Sequence, residues 1–248
     1  MTRHLTLITG ASRGLGLALT EQLLAQGHRV LALARRPTVA DVPYGSELIS
    51  WQVDLVDSAP VADRLADWLT AQDASAVLSV TLINNAGMVS DPAPLSAGSS
   101  GDLACALRVG LEAPLLLSAA FLGATAAWTM PRKVLMVSSG LGRHAMAGSA
   151  AYCAAKAGMD NLARAIALEE AAQPNGARVV SLAPGVIDTD MQLQLRSASA
   201  ERFAERERFV SLKTGGLLMS PALAAGKVLT VLAQADFGSD VIADVRNV

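Results

Sequence analysis

Short apolar runs alternate along this chain with longer stretches whose apolar residues recur three and four apart. Runs rich in β-branched and aliphatic residues at 5–9, 29–33, 48–53, 80–83, 134–138, 178–182 and 241–243 predict strands. Segments 15–26, 59–71, 102–128, 151–171 and 221–234 have helical spacing. Gly27 stands where a helix C-cap glycine belongs, and Ser220-Pro221 reads as an N-cap followed by proline at the first helical position. Strands alternating with helices predict βαβ units: a doubly wound, Rossmann-like α/β fold with a mostly parallel sheet and helices on both faces. No linker or composition break divides the chain, so residues 1–248 read as one domain. The Ser-, Gly- and Pro-rich segment 90–101 reads as a loop.

Composition narrows the function classes. Of 248 residues, 52% are hydrophobic and 17% charged, which suits a large core and argues against disorder. The net charge of −2, with both signs interspersed, gives no support for a nucleic-acid or polyanion partner. Cys105 and Cys153 have no metal-ligand spacing and make no disulfide framework, so no metal is expected and a reducing cytoplasm fits. The N-terminus reaches a strand pattern by Leu5 with no long apolar run before it, unlike a signal peptide. Segment 113–131 is uncharged and long enough to cross a bilayer. Its alanines, with Pro114, Ser118, Gly123, Thr125 and Thr129, fit a buried helix better, one that could lie at a subunit interface, and no membrane partner is expected.

Three residue sets carry chemistry, in a fixed order. The first is the turn from Thr9 through Gly10, Ser12, Arg13, Gly14, Leu15 and Gly16, which follows the first strand and opens the first helix. Glycines there let the backbone approach a pyrophosphate, and the helix N-terminus offers unpaired N–H groups. The second and third are Ser139, closing the fifth strand, and Tyr152 with Lys156, which are four apart and share a helix face. A free phenol has a pKa of roughly 10, and a nearby ammonium favours its ionised form. The neighbouring Ser138 should point to the other sheet face. Where an NAD site places an acid after the second strand, this chain has Ala34 followed by Arg35 and Arg36. With Arg13, these guanidinium groups suit the 2′-phosphate of NADP.

From Thr9 to about Asp244 the chain resembles the short-chain dehydrogenase/reductase family, whose glycine spacing is G-x-x-x-G-x-G. The resemblance implies a carbonyl reductase using NADPH. Tyr152 is then the general acid, Ser139 the hydrogen-bond donor to the substrate oxygen, and Lys156 the holder of the nicotinamide ribose. It further implies cofactor contacts from Asp54 and Leu55 at the adenine and from the motif Asn84-Asn85-Ala86-Gly87. Around the nicotinamide carboxamide it implies Pro184, Gly185, Val186, Ile187 and Thr189. Segment 190–217 corresponds to a mobile substrate lid, and His144 lies in a segment that lines the family's pocket. Leu168-Glu169-Glu170, the stretch 183–192 and the stretch 217–221 look like the sepiapterin reductase and benzil reductase branch. That branch implies a vicinal dicarbonyl or similar ketone as the small-molecule substrate, with Asp244 as a candidate substrate contact. A 3-oxoacyl-[acyl-carrier-protein] reductase and a non-catalytic NADP-binding regulator are the alternatives; the former would want a basic patch from Arg196, Arg202, Arg206 and Arg208.

One position departs from the pattern. Gly110 stands where the resemblance implies an Asn that helps hold a relay water beside the Lys, and restoring the amide should leave kcat unchanged or raised if there is room. Small residues on segments 102–128 and 151–171 (Ala119, Ala120, Gly123, Ala154, Ala155, Ala157 and Gly158) predict close helix approach and a two-fold homodimer, or a homotetramer built from two.

Overall fold

A computed structural model describes residues 2–247; positions 1 and 248 of the expected domain lie outside the described residues. Seven strands form one sheet: β1 (Arg3–Thr9), β2 (Arg29–Ala34), β3 (Glu47–Gln52), β4 (Val77–Asn84), β5 (Arg132–Val137), β6 (Arg178–Ala183) and β7 (Ile242–Asp244). Their order is β3-β2-β1-β4-β5-β6-β7, with every pairing parallel. The order reverses between β1 and β4, which is where open α/β sheets part their loops and bind ligands.

The strands are apolar almost throughout because both faces are covered. Ile8, Val30, Ala32, Ile83, Leu135 and Val137 point to one layer, built from α1 (Gly14–Ala25) and α8 (Pro221–Ala233). Leu5, Leu7, Leu31, Leu33, Leu82, Val134 and Met136 point to the other. That second layer is built from α2 (Ala59–Thr70), α3 (Ser100–Leu107), α4 (Ala113–Ala124) and α5 (Ala150–Ala171). Leu117 and Phe121 of α4 are fully buried against this face. Each contributes on the order of 1.5–3 kcal/mol relative to exposure. The stretch Ser100–Ala124 is long and apolar enough to cross a membrane by length and composition; here one side of it packs inward, through Ala106, Ala113, Leu117 and Phe121.

All seven expected strands are present within three residues of their predicted ends. Gly27 follows α1 at φ +82°, donating its N–H to the Leu24 carbonyl, and Ser220 caps α8 by accepting from the Leu223 N–H at 3.2 Å. The expected helix over 102–128 differs in two respects. It is interrupted by a π-helical turn at Arg108–Glu112, and it stops at Ala124. The stop has a local cause. The Thr125 hydroxyl donates to Phe121 O and accepts from the buried Arg132 Nε at 3.1 Å, while Arg132 Nη2 donates to Leu122 O. Residues 197–205 are turn and irregular structure between two short helices. The helices in this region are α6 (Asp190–Arg196) and α7 (Arg206–Thr214). Tertiary packing decides that outcome: Phe203 and Phe209 bury themselves and stack 5.8 Å apart.

Candidate active site

The Gly-rich turn leaves β1 and folds back on itself before α1. A Cβ at Gly16 would collide with the Gly10 carbonyl and sit 2.6 Å from Asn85 Nδ2, so only glycine fits there. Gly10 and Gly14 have φ of +68° and +55°, a left-handed conformation that also selects glycine. β4 braces the turn from below. Asn85 Nδ2 donates to Thr9 O at 2.8 Å, and the N–H groups of Asn85 and Ala86 donate to Thr9 Oγ1. Asn84 looks the other way, donating to the buried Ser118 hydroxyl at 3.0 Å. The motif after β4 therefore has a structural duty to the sheet as well as an edge facing the crevice.

The start of α1 suits a phosphate. Arg13 occupies the N-cap position and supplies no side-chain cap, so the first-turn N–H groups keep no side-chain partner. Ser12 is partly exposed beside them, whereas Leu15 belongs to the apolar core and can meet a ligand only through its backbone. Arg35 and Arg36 are exposed just past β2. Beyond β3, Asp54 is exposed and accepts from the Val56 N–H, while Leu55 is buried and, like Leu15, offers only backbone. After β6, Gly185 (φ +82°) lies against the Met219 methyl, Pro184 and Ile187 are buried, and Val186 and Thr189 stay accessible.

Ser139, Tyr152 and Lys156 meet beyond the end of β5. Ser139 caps a single 3₁₀ turn, Gly140–Gly142, by accepting from the Leu141 N–H at 3.1 Å. That leaves its own O–H free to donate. Tyr152 and Lys156 share a face of α5, with the ammonium 5.6 Å from the Tyr152 ring centre. Lys156 is buried, and its ammonium donates to the Val137 carbonyl at 2.7 Å. A Cβ at Gly87 would stand 3.6 Å from that nitrogen, so the motif after β4 closes the other side. Ser138 is buried, and its hydroxyl has no hydrogen-bond partner among the described residues.

The electrostatics correct one expectation. Burial pushes the Tyr152 phenol above its ordinary value, hydrogen bonding from Ser139 pulls it back, and neighbouring Cys153 adds a small upward push. No pull from the Lys156 ammonium accompanies these effects; the ammonium is engaged with the Val137 carbonyl. Lys156 itself is lowered to about 8 by burial, against the attraction of Asp160. Without a bound cofactor, Tyr152 is thus a protonated acid beside a lysine that is largely charged at neutrality.

Gly110 lies inside the π turn, buried against α5. A Cβ there would come within 2.9 Å of the Ala155 Cβ, so the room that an Asn requires is absent. His144 is exposed, and only its backbone is tied down, to Gly140 O. Asp244 is buried and paired with Arg246 at 2.6 Å and with Arg143 at 3.9 Å, so it is not free to grip a substrate.

Segment 190–217 packs over the segment between Ser139 and Tyr152. Met146 packs with Leu195, Phe203 and Phe209, flanked by Leu141, Cys153 and Met191. Ion pairs pin the rim: Lys213 and Arg196 to Asp188, Arg202 to Asp91, and Arg13 to Asp190 at 2.6 Å. Sequence reasoning did not single out Asp190 or Asp160 as partners. For Asp160 a signal existed: an acid one helical turn after Lys156, on a helix face otherwise given to the core.

This arrangement defines a family. A sequence model of the short chain dehydrogenases matches residues 4–200, and the chain belongs to that family. It is an oxidoreductase acting on carbonyl or hydroxyl groups, on a fold that binds NAD(P). Among similar proteins, a benzil reductase ((S)-benzoin forming) of Bacillus subtilis is 36% identical, covering 92% of this chain and 93% of that protein. Sepiapterin reductase of Meriones unguiculatus is 30% identical, over 96% and 94%. A solved structure described as a putative NAD(P) dependent gluconate 5-dehydrogenase from Beutenbergia cavernae, with bound NADP at low occupancy, superimposes with a TM-score of 0.81. It is 27% identical and covers 99% of this chain and 96% of that one.

Proposed function

We propose that this protein is an NADPH-dependent carbonyl reductase that reduces a ketone or vicinal dicarbonyl, with Tyr152 as general acid. The observation that carries the proposal is the meeting of Ser139, Tyr152 and Lys156 beside the Gly-rich turn. The Gly10–Gly16 turn would hold the pyrophosphate at the uncapped start of α1. Arg13, Arg35 and Arg36 would hold the 2′-phosphate, and Asp54 with Leu55 the adenine. Asn85, Ala86 and Gly87 would line the central stretch. Pro184, Gly185, Val186, Ile187 and Thr189 would hold the carboxamide. The bound cofactor would supply the hydride. Ser139 donates a hydrogen bond to the carbonyl oxygen, polarising it, and Tyr152 gives its proton to that oxygen as negative charge develops there. Lys156 would release Val137 O to hold the ribose, placing its charge nearer the phenol as the proton leaves.

The printed activities of the Bacillus and Meriones relatives support a dicarbonyl-type substrate. An acyl-carrier-protein substrate would need free basic groups near the lid. Instead Arg196, Arg202, Arg206 and Arg208 each have an acid beside them (Asp188, Asp91, Glu207 and Glu205), so the region carries little net positive charge. The test is to follow NADPH oxidation with benzil, sepiapterin and a β-ketoacyl thioester. Turnover on a dicarbonyl that falls by about 100-fold or more in Tyr152→Phe, with NADPH binding retained, is expected. Turnover confined to the thioester, or a fully active Tyr152→Phe, would overturn the proposal.

A further inference from the structure

α5 carries a third ionisable residue on the face it shares with Tyr152 and Lys156. Asp160 follows Lys156 by one turn and is 2% exposed. A buried carboxylate is costly unless both oxygens find partners, and both do. Oδ1 accepts from the buried Ser181 hydroxyl of β6 at 2.7 Å, and Oδ2 accepts from Arg143 Nε at 3.3 Å. Arg143 ends the 3₁₀ turn that Ser139 begins, and its backbone N–H donates to Gly140 O. Its remaining nitrogens reach β7: Nη2 donates to Ala243 O at 2.9 Å, and Nη1 is 3.9 Å from Asp244.

The loop is also held from the opposite direction. Gly142 rests on the α5 backbone, where a Cβ would come within 2.8 Å of Lys156 O and 3.1 Å of Asp160 Oδ2. This contact sets how closely the loop can approach the helix, while the ion pair opposes its separation. Ser139, three residues before Gly142, is tied to the loop by its cap to Leu141 and by accepting the Gly142 N–H at 3.0 Å, so whatever fixes Gly142 and Arg143 also fixes Ser139.

We propose that Arg143 and Asp160 are positioning residues, whose ion pair holds the Ser139 loop in register with the Tyr152 face of α5. The proposal rests on the reading of Ser139 and Tyr152 given above. Buried ion pairs are weak contributors to net stability, since apolar replacements are often neutral. The pair acts through geometry: Ser139 keeps its hydroxyl within reach of the phenol while Arg143 stays on Asp160.

The chain has two tyrosines, and Tyr44 is fully exposed. In a Tyr44→Phe background, a carbon-13 label on the ring ζ carbon reports Tyr152 alone. Arg143→Met should move that signal toward its position in Ser139→Ala, and the double variant should move no further. In parallel, kcat for carbonyl reduction should fall about tenfold or more with NADPH affinity unchanged. The kcat loss should also vanish when Arg143→Met is made on Ser139→Ala, which a general loss of stability would not produce. Asp160→Asn should reproduce the signal change, and Arg143→Lys serves the same comparison if the Met variant does not fold. An unmoved ring signal, an unchanged kcat, or additive effects with Ser139→Ala would overturn the proposal. If the unaltered protein turned over no carbonyl, the reductase reading would fail, while the ring signal would still decide the role of the pair.

Discussion

At the residue scale, close approach governs what this site tolerates. Gly110 shows it best. The expectation that an Asn could be restored there depended on room, and a new Cβ would stand only 2.9 Å from the Ala155 Cβ. Gly110→Asn should therefore destabilise the fold by about 1–3 kcal/mol through overpacking. Urea denaturation checks this, and a coupling experiment makes it specific: adding Gly110→Asn to Ala155→Gly should cost less than adding it to the unaltered chain. Equal costs in the two backgrounds would mean that Ala155 is not the obstacle. Charge decides a second residue-scale question. If Arg35 and Arg13 grip a 2′-phosphate, NADPH should bind more tightly than NADH, and Arg35→Ala should narrow the gap. Arg13 must first release Asp190, to which it is paired at 2.6 Å with both side chains well exposed. Exposed pairs of this kind are worth little, so the release should be easy. Titrating both cofactors by fluorescence measures the preference, and equal affinities would remove the phosphate reading.

At the scale of elements, the beginnings of the central strands carry a stacked pair of histidines. His4 in β1 and His28 just before β2 stack with ring centres 5.0 Å apart, and His28 shares a hydrogen bond with Thr6 Oγ1 at 3.0 Å. Burial, and secondarily the charge on His4, lowers His28 from 6.5 to about 4. The sign follows from proton uptake: between these values the unfolded chain binds a proton that the folded chain refuses. Stability is therefore full above pH 6.5 and falls as the pH drops toward 4. Denaturation midpoints across this window should slope less in His28→Gln than in the unaltered protein; parallel slopes would show that His28 is not the group responsible. The helices also show how far periodicity reaches. The segment predicted as one helix over 102–128 is α3, a π turn and α4, because Gly110 and Leu111 settle against Ala155 and Gly158 of α5. The register of a π turn is set by that neighbour and has no counterpart in apolar spacing.

At the scale of the whole molecule, α3, α4 and α5 turn one face to the sheet and leave the other uncovered. Leu107, Leu115 and Leu168 are exposed there, with Ala119, Gly123, Ala154 and Ala157 among them. Two of the small residues expected at a subunit contact serve inside the protomer instead: Ala155 faces Gly110, and Gly158 receives the Leu111 side chain. The uncovered remainder still suits a self-complementary two-fold contact. Light scattering at micromolar concentration should give a dimer, or a tetramer built from two. An Ala157→Arg exchange should shift it toward monomer, and a monomeric unaltered protein would refute the assembly.

The sequence by itself determined the alternation of strand and helix, the parallel sheet, the glycine turn and the placing of Ser139, Tyr152 and Lys156 at strand and helix ends. These follow from periods of two and 3.6 residues, from caps, and from backbone conformations that few residues can adopt, all of which are local. Only the tertiary structure decided where Lys156 points, that Asp244 is occupied, that Gly110 has no room, and that Arg143 reaches Asp160. Apart from the local Arg246–Asp244 pair, each depends on groups well separated in the chain and brought within a few ångströms by packing around α5 and the sheet. Burial there raises Tyr152 and lowers Lys156 by amounts that depend on the surrounding packing rather than on the spacing of the two residues.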